Sequence, residues 1–129
     1  MQKKFRNLII GLGALVVISL FIFMFYNSDD SVGANDEFAK CLTENNVKIY
    51  GAYWCPHCKD QKELFGNSWK HVDYIECSLP NNAGQTAVCS QAGIQSYPMW
   101  EFSDGSRVLG YQTLEGLSQL SNCNLNSEY

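Results

Sequence analysis

Nineteen consecutive uncharged residues, LIIGLGALVVISLFIFMFY from Leu8 to Tyr26, divide the chain before any other feature acts. About 20 apolar residues are needed to cross a bilayer as a helix. The run has no polar face to turn toward water, so it does not fit as one side of a soluble core. Lys3, Lys4 and Arg6 precede it, and Asp29 and Asp30 follow it. Positive charge stays on the cytoplasmic side. The sequence therefore predicts a cytoplasmic N-terminus over 1–7 and a transmembrane signal anchor over 8–26. The remainder would be extracytoplasmic, in the periplasm or at the cell exterior. A cleaved signal peptide is the competing expectation, with an apolar core of about 7–15 residues ending in small residues. The present run is longer, and SVGAN (31–35) is a weak cleavage site.

Residues 27–35, NSDDSVGAN, read as a flexible tether, and 124–129 as a C-terminal tail. The span 36–123 is long enough for one small domain and too short for two cores. From Ser28 onward, thirteen acidic and six basic side chains give a net charge of −7. That balance argues against nucleic acid and anionic lipid heads as partners. All six cysteines (41, 55, 58, 77, 89 and 123) follow the apolar run. An even count in a small exported domain points to disulfides, but six cysteines allow 15 pairings and the sequence alone does not choose.

Asn35 or Asp36 can cap a helix through about Asn45, with Phe38, Cys41 and Leu42 on one face. VKIYGAYW (47–54) is rich in β-branched and aromatic residues and reads as a strand. CPHCKDQKELF (55–65) follows as a helix with Pro56 in its first turn and Gly66 at its end. HVDYIEC (71–77) is a second strand, so 47–77 forms a βαβ unit with a parallel pair. SLPNNAGQ is a loop, and 84–92 a short helix. Residues 98–111 form a hairpin turning at Asp104-Gly105. Thr113 caps a last helix carrying Leu114, Leu117 and Leu120 and ending near Cys123. The fold class is α/β, with a mixed central sheet flanked by helices.

Cys55 and Cys58 lie two residues apart at a strand-to-helix junction. A helix N-terminus supplies free N–H donors and partial positive charge, which favour a thiolate. The thiolate is the species that attacks disulfides. Cys55 would attack and Cys58, one turn later, would resolve. Pro56 stiffens the turn, and His57 favours the thiolate as a cation or N–H donor. Favouring the reduced form makes the disulfide a better oxidant. The competing uses are weaker. Zinc needs four ligands, usually including a second close pair, and none is present. Covalent haem attachment needs histidine where Lys59 stands. A purely structural CxxC disulfide remains a bland alternative.

The stretches YGAYWCPHCKDQKELFG, YIECS and GIQSYPMWEF resemble thioredoxin-like domains, above all the one often fused to bacterial vitamin K epoxide reductase homologues. The resemblance covers nearly all of 36–123. It implies a thioredoxin-like fold, no cofactor, and a redox centre at Cys55 and Cys58. It also implies a cis-proline at Pro98 that holds substrate backbone beside the sulfurs and keeps metals off them. In cytoplasmic thioredoxins a buried acid stands six residues before the first cysteine; here that residue is Ile49. Their Gly-Pro dipeptide is replaced by Pro56-His57, as in strongly oxidising family members. The family likeness further implies a Cys77–Cys89 staple, with a relay pair as the alternative. In a thioredoxin-like layer the first and last helices can be neighbours, which gives a Cys41–Cys123 pair. Of the aromatics around the motif, Trp54 and Tyr97 are expected at an apolar substrate-binding rim and Trp100 in the core. Tyr53 also flanks the site, and His71 has no assigned role.

These expectations combine into a membrane-anchored thiol–disulfide oxidoreductase that oxidises exported proteins through Cys55 and Cys58. The resemblance implies reoxidation by a vitamin K epoxide reductase-like membrane partner. The alternatives are a disulfide reductase or isomerase of the same fold, or a disulfide-stapled binding or metal-chaperone module without enzymatic activity.

Overall fold

A computed structural model describes residues 1–26 and 32–125. The chain forms two units, Met1–Ser31 and Val32–Tyr129. The first contains helix α1, Gln2–Tyr26. Leu15, Val17, Leu20 and Ile22 on it are all at least half exposed. Among the described residues no helix is long and apolar enough to cross a membrane. Residues 27–31 of the expected tether (27–35) and 126–129 of the expected tail (124–129) lie outside the described residues.

The second unit is a four-stranded mixed sheet with helices α2 (Asp36–Glu44), α3 (Pro56–Phe65), α4 (Ala87–Gln91) and α5 (Leu114–Ser121). Strands β1 (Lys48–Gly51), β2 (Asp73–Glu76), β3 (Met99–Glu101) and β4 (Arg107–Leu109) lie in the order β2-β1-β3-β4. Strand β1 runs parallel to β2 and antiparallel to β3, and β3 is antiparallel to β4.

Several elements are shorter than the sequence patterns imply, for local reasons. Strand β1 stops at Gly51 because the next N–H groups leave the ladder: Tyr53 donates to the Glu76 side chain and Cys55 to the Ala52 carbonyl. Gly66 ends α3 at φ 54°, and the chain continues as a 3₁₀ helix, Gly66–His71, so β2 starts only at Asp73. The helix expected over 84–92 contracts to α4 because Thr86 is extended and Gln85 bridges back to Ser78. Pro80–Asn82 forms a 3₁₀ turn in which Asn81 and Asn82 take left-handed conformations, which asparagine tolerates better than most residues. Asn35 occupies the N-cap of α2 without a side-chain capping bond, and its own N–H donates to Ser68 Oγ at 3.0 Å. Thr113 caps α5 through its side chain, which accepts from Gly116 N–H at 3.1 Å.

Side chains alternate across strands, so one sheet carries two cores. Ile49, Trp100 and Tyr74 pack with Phe38 and Leu42 of α2, Phe65 of α3 and Leu117 of α5. Tyr50, Ile75 and Met99 pack with Cys77, Cys89 and Ile94. A smaller cluster of Ala52, Cys55 and Cys58 lies beyond the end of β1, with Tyr97 against it.

Candidate active site

The local sequence dictates how Cys55 is held. Its φ and ψ of −74° and 121° keep it extended as the N-cap of α3, and Pro56, with no N–H to lose, begins the helix. The Cys55 sulfur accepts the Cys58 N–H at 3.4 Å, one of the donors a helix leaves free in its first turn. Both cysteines are buried, at 5 % exposure each, and both are free thiols. Burial, reinforced by a hydrogen bond to Cys55, pushes the Cys58 thiol up to about 12. The two sulfurs thus differ in setting. One takes a backbone N–H at a helix start, and the other sits in a site that disfavours charge.

The remaining cysteines are bonded, Cys41 to Cys123 and Cys77 to Cys89, with Cα–Cα distances of 5.9 and 5.5 Å. The Tyr97–Pro98 peptide is cis, Pro98 is fully buried, and Tyr97 packs against the dithiol cluster. Trp54 is half exposed, meets Tyr97 edge-on at 6.0 Å and donates from Nε1 to Ser78 Oγ at 2.9 Å. Trp54, Ser78, Gln85 and Tyr97 line a cavity of about 420 Å³. His57 lies on the outer side of α3, largely exposed, with Nδ1 3.6 Å from Asp60. Trp100 lies in the core, away from the rim. His71 Nε2 stands 3.6 Å from the buried Asp36 carboxylate, a contact its strand-start position did not announce.

Sequence reasoning missed the polar side chains that fix this arrangement. Gln61 is fully buried on α3, accepts from Gln112 N–H (2.8 Å) and Trp100 Nε1 (3.4 Å), and donates to the Gln112 carbonyl (3.0 Å). Its position one turn from Cys58 on the inward face was the available signal. Gln85 Nε2 donates to Tyr97 Oη and to the Ile94 carbonyl, each at 2.7 Å. Asn82 accepts from the Tyr53 hydroxyl at 2.8 Å. Glu76 Oε1 accepts from Ser78 N–H (2.8 Å) and Tyr53 N–H (3.2 Å). For Glu76 the signal was alternation: residues 74 and 76 share one face of β2.

No family model matches the chain. It is 39% identical over 70 residues to "Thiol-disulfide oxidoreductase LTO1" of Arabidopsis thaliana, an alignment covering 51% of this chain and 19% of that protein. The chain thus matches about a fifth of the length of that curated relative. The four-stranded mixed sheet with flanking helices is compatible with a thioredoxin-like domain. The likeness and the placement of the cysteines together support a thiol–disulfide redox function.

Proposed function

We propose that this chain is a membrane-anchored thiol–disulfide oxidoreductase that oxidises exported proteins, with its catalytic domain outside the cytoplasm. The observation that carries the reading is selective pairing: Cys55 and Cys58 are free at a helix start while the other four cysteines are bonded. In this reading a substrate thiolate attacks the Cys55 sulfur of the Cys55–Cys58 disulfide. The resulting mixed disulfide is cleaved by a second substrate thiolate, and the dithiol is left reduced. Pro56 and His57 shape the turn, and Pro98, Trp54 and Tyr97 receive the substrate segment. The Cys77–Cys89 and Cys41–Cys123 bonds serve as staples. The uncharged run 8–26 anchors the domain, with the N-terminus inside. A quinone-coupled membrane protein of the vitamin K epoxide reductase type reoxidises the dithiol. The Pro56-His57 dipeptide and the absence of an acid at Ile49 support the oxidising direction.

The test is the reduction potential of Cys55–Cys58 in the full chain in detergent micelles, equilibrated with glutathione and mapped by mass spectrometry. A value near about −120 mV, with the other four cysteines still paired, supports the oxidant. A value of about −270 mV assigns the reductase instead, and a chain that accelerates no thiol oxidation removes the oxidase reading.

A further inference from the structure

Gly51, the last residue of β1, faces both Cys58 and a tyrosine of the neighbouring strand. A methyl group at this position would lie 3.1 Å from Cys58 Sγ, 3.0 Å from Tyr74 Oη and 2.6 Å from Tyr74 Cε2. The missing side chain therefore leaves a space that Cys58 Sγ and the Tyr74 hydroxyl both border. Tyr74 Oη donates to Glu76 Oε2 at 2.8 Å. The other carboxylate oxygen is fixed by the N–H groups of Ser78 and Tyr53. The carboxylate is thus clamped with one oxygen turned to the tyrosine. The strand register sets this up, because Gly51 and Glu76 are direct partners across β1 and β2. Cys58, Tyr74 and Glu76 line a single cavity of about 300 Å³, shared with Lys59 and Lys62 of α3.

A thiol that burial pushes this far up is protonated near neutral pH. Any step that creates or consumes the Cys58 thiolate therefore needs a proton partner. Burial and the adjacent Glu76 push the Tyr74 hydroxyl above its ordinary range, so it stays protonated and passes a proton only as it receives one.

We propose that Tyr74 and Glu76 form the proton relay of Cys58, with Glu76 Oε2 as the terminal acceptor and the Tyr74 hydroxyl as the link. The assignment rests on the dithiol reading above. In the reductive direction Cys58 Sγ attacks Cys55 Sγ of a mixed disulfide. The Cys55–Cys58 bond forms, and the bond from Cys55 to the foreign sulfur breaks. That sulfur leaves with the electron pair as a thiolate. The Cys58 proton moves to Tyr74 Oη while the tyrosine proton moves to Glu76. In the oxidising direction a substrate thiolate attacks Cys55, and the departing Cys58 sulfur recovers its proton by the same route. The charged and titratable groups around Cys58 are Cys55, Lys59 and Lys62 on its own helix side, Tyr53 in the segment before it, and Tyr74 and Glu76 on β2.

The probe is 5,5′-dithiobis(2-nitrobenzoate) with the reduced full chain in stopped flow. Release of the first aryl thiolate reports attack by Cys55, and release of the second reports attack by Cys58. Glu76→Gln keeps an oxygen for the backbone donors, and Tyr74→Phe keeps the ring. Both variants are expected to preserve the first phase within about threefold and to slow the second about 100-fold at pH 7. The slowed phase should rise about tenfold per pH unit and be restored by added imidazole, while the parent's varies little between about pH 6 and 8. An unchanged second phase in both variants overturns the relay and leaves the dithiol reading intact. A slowing shared by both phases, or one insensitive to pH and imidazole, also overturns it, as a positional effect. A parent chain that releases only one aryl thiolate overturns relay and dithiol reading together.

Discussion

The two disulfides offer a quantitative test because they close loops of very different length. Cys41–Cys123 spans 82 residues and Cys77–Cys89 spans 12. If each bond acts by restricting the unfolded chain, the long loop contributes about 4.5 kcal/mol and the short one about 2.8 kcal/mol. Replacing Cys41 and Cys123 together by alanine should then cost about 1.7 kcal/mol more than replacing Cys77 and Cys89. The native-state losses partly cancel in this comparison, since Cys123, Cys77 and Cys89 are all buried. A small domain has about 5–15 kcal/mol of stability, so the first variant is left near its limit. Its Tm should fall by about 20–35 °C.

The assay is urea unfolding of the full chain in detergent, without reductant, for the parent and both double variants. The longer-loop variant should also show the larger m-value, because its unfolded state expands more. Equal costs, or a higher cost for the 12-residue pair, would refute the chain-entropy reasoning. Stability would then reside in native packing around Cys77 and Cys89. Alkylation of Cys55 should be little changed when Cys41 and Cys123 are removed, since neither packs on the dithiol cluster.

Three further outcomes follow from individual residues. Gln61→Leu strands the Trp100 and Gln112 N–H groups and the Gln112 carbonyl, and should lower stability by about 2–4 kcal/mol in urea. Gly51→Ala forces the Tyr74 ring aside, and should cost about 1–3 kcal/mol by thermal unfolding while weakening the 2.8 Å bond to Glu76. Burial opposes charge on Glu101, but Arg107, Lys48 and Tyr50 outweigh it and hold its carboxyl below the ordinary range. Its stabilisation is thus complete above the ordinary carboxylate value, about 4.3, and is lost as pH falls through the lower folded value. Urea midpoints of the parent should drop between about pH 5 and 3, and those of Glu101→Gln should drop less.

The parts of this fold that show in the sequence are those carried by short-range chemistry. Pro56 and Gly66 bracket α3 as their backbone preferences require, and Asp104-Gly105 turns the β3–β4 hairpin with Gly105 at φ 80°. Apolar spacing identified the inward face of α2, with Cys41 at its edge, and picked out Leu114 and Leu117 on α5, whereas Leu120 of the same series is exposed. What the sequence did not display is decided by partners far along the chain. Strand β1 ends early because Glu76, 23 positions after Tyr53, captures a backbone donor. Asn35 makes no side-chain capping bond, and its own N–H is held by Ser68, 33 positions on. Side chains such as Gln61 and Gln85 look like ordinary surface amides until the fold encloses them, since nothing local says which groups will need a partner.

The same long-range bonds explain why the dithiol needs this scaffold. The segment before Cys55 is gripped through Tyr53 and Trp54, by Asn82, Ser78 and Glu76. The helix after Cys58 is gripped through Gln61, by Trp100 and the segment at Gln112. Cys55 is therefore located from both sides by hydrogen bonds, while its sulfur accepts the Cys58 N–H at 3.4 Å. Ser78 and Asn82 belong to the loop closed by Cys77–Cys89, so that bond supports the Trp54 and Tyr97 rim as well as the unfolding balance. If Trp54 and Tyr97 receive the substrate segment as proposed, removal of the bond should weaken peptide capture there more than stability alone implies, whereas removal of Cys41–Cys123 should weaken stability alone. The affinity of an unfolded cysteine-free peptide, measured where each variant is still fully folded, separates the two effects. Equal peptide affinity in both variants would mean that the loop keeps its place without the bond.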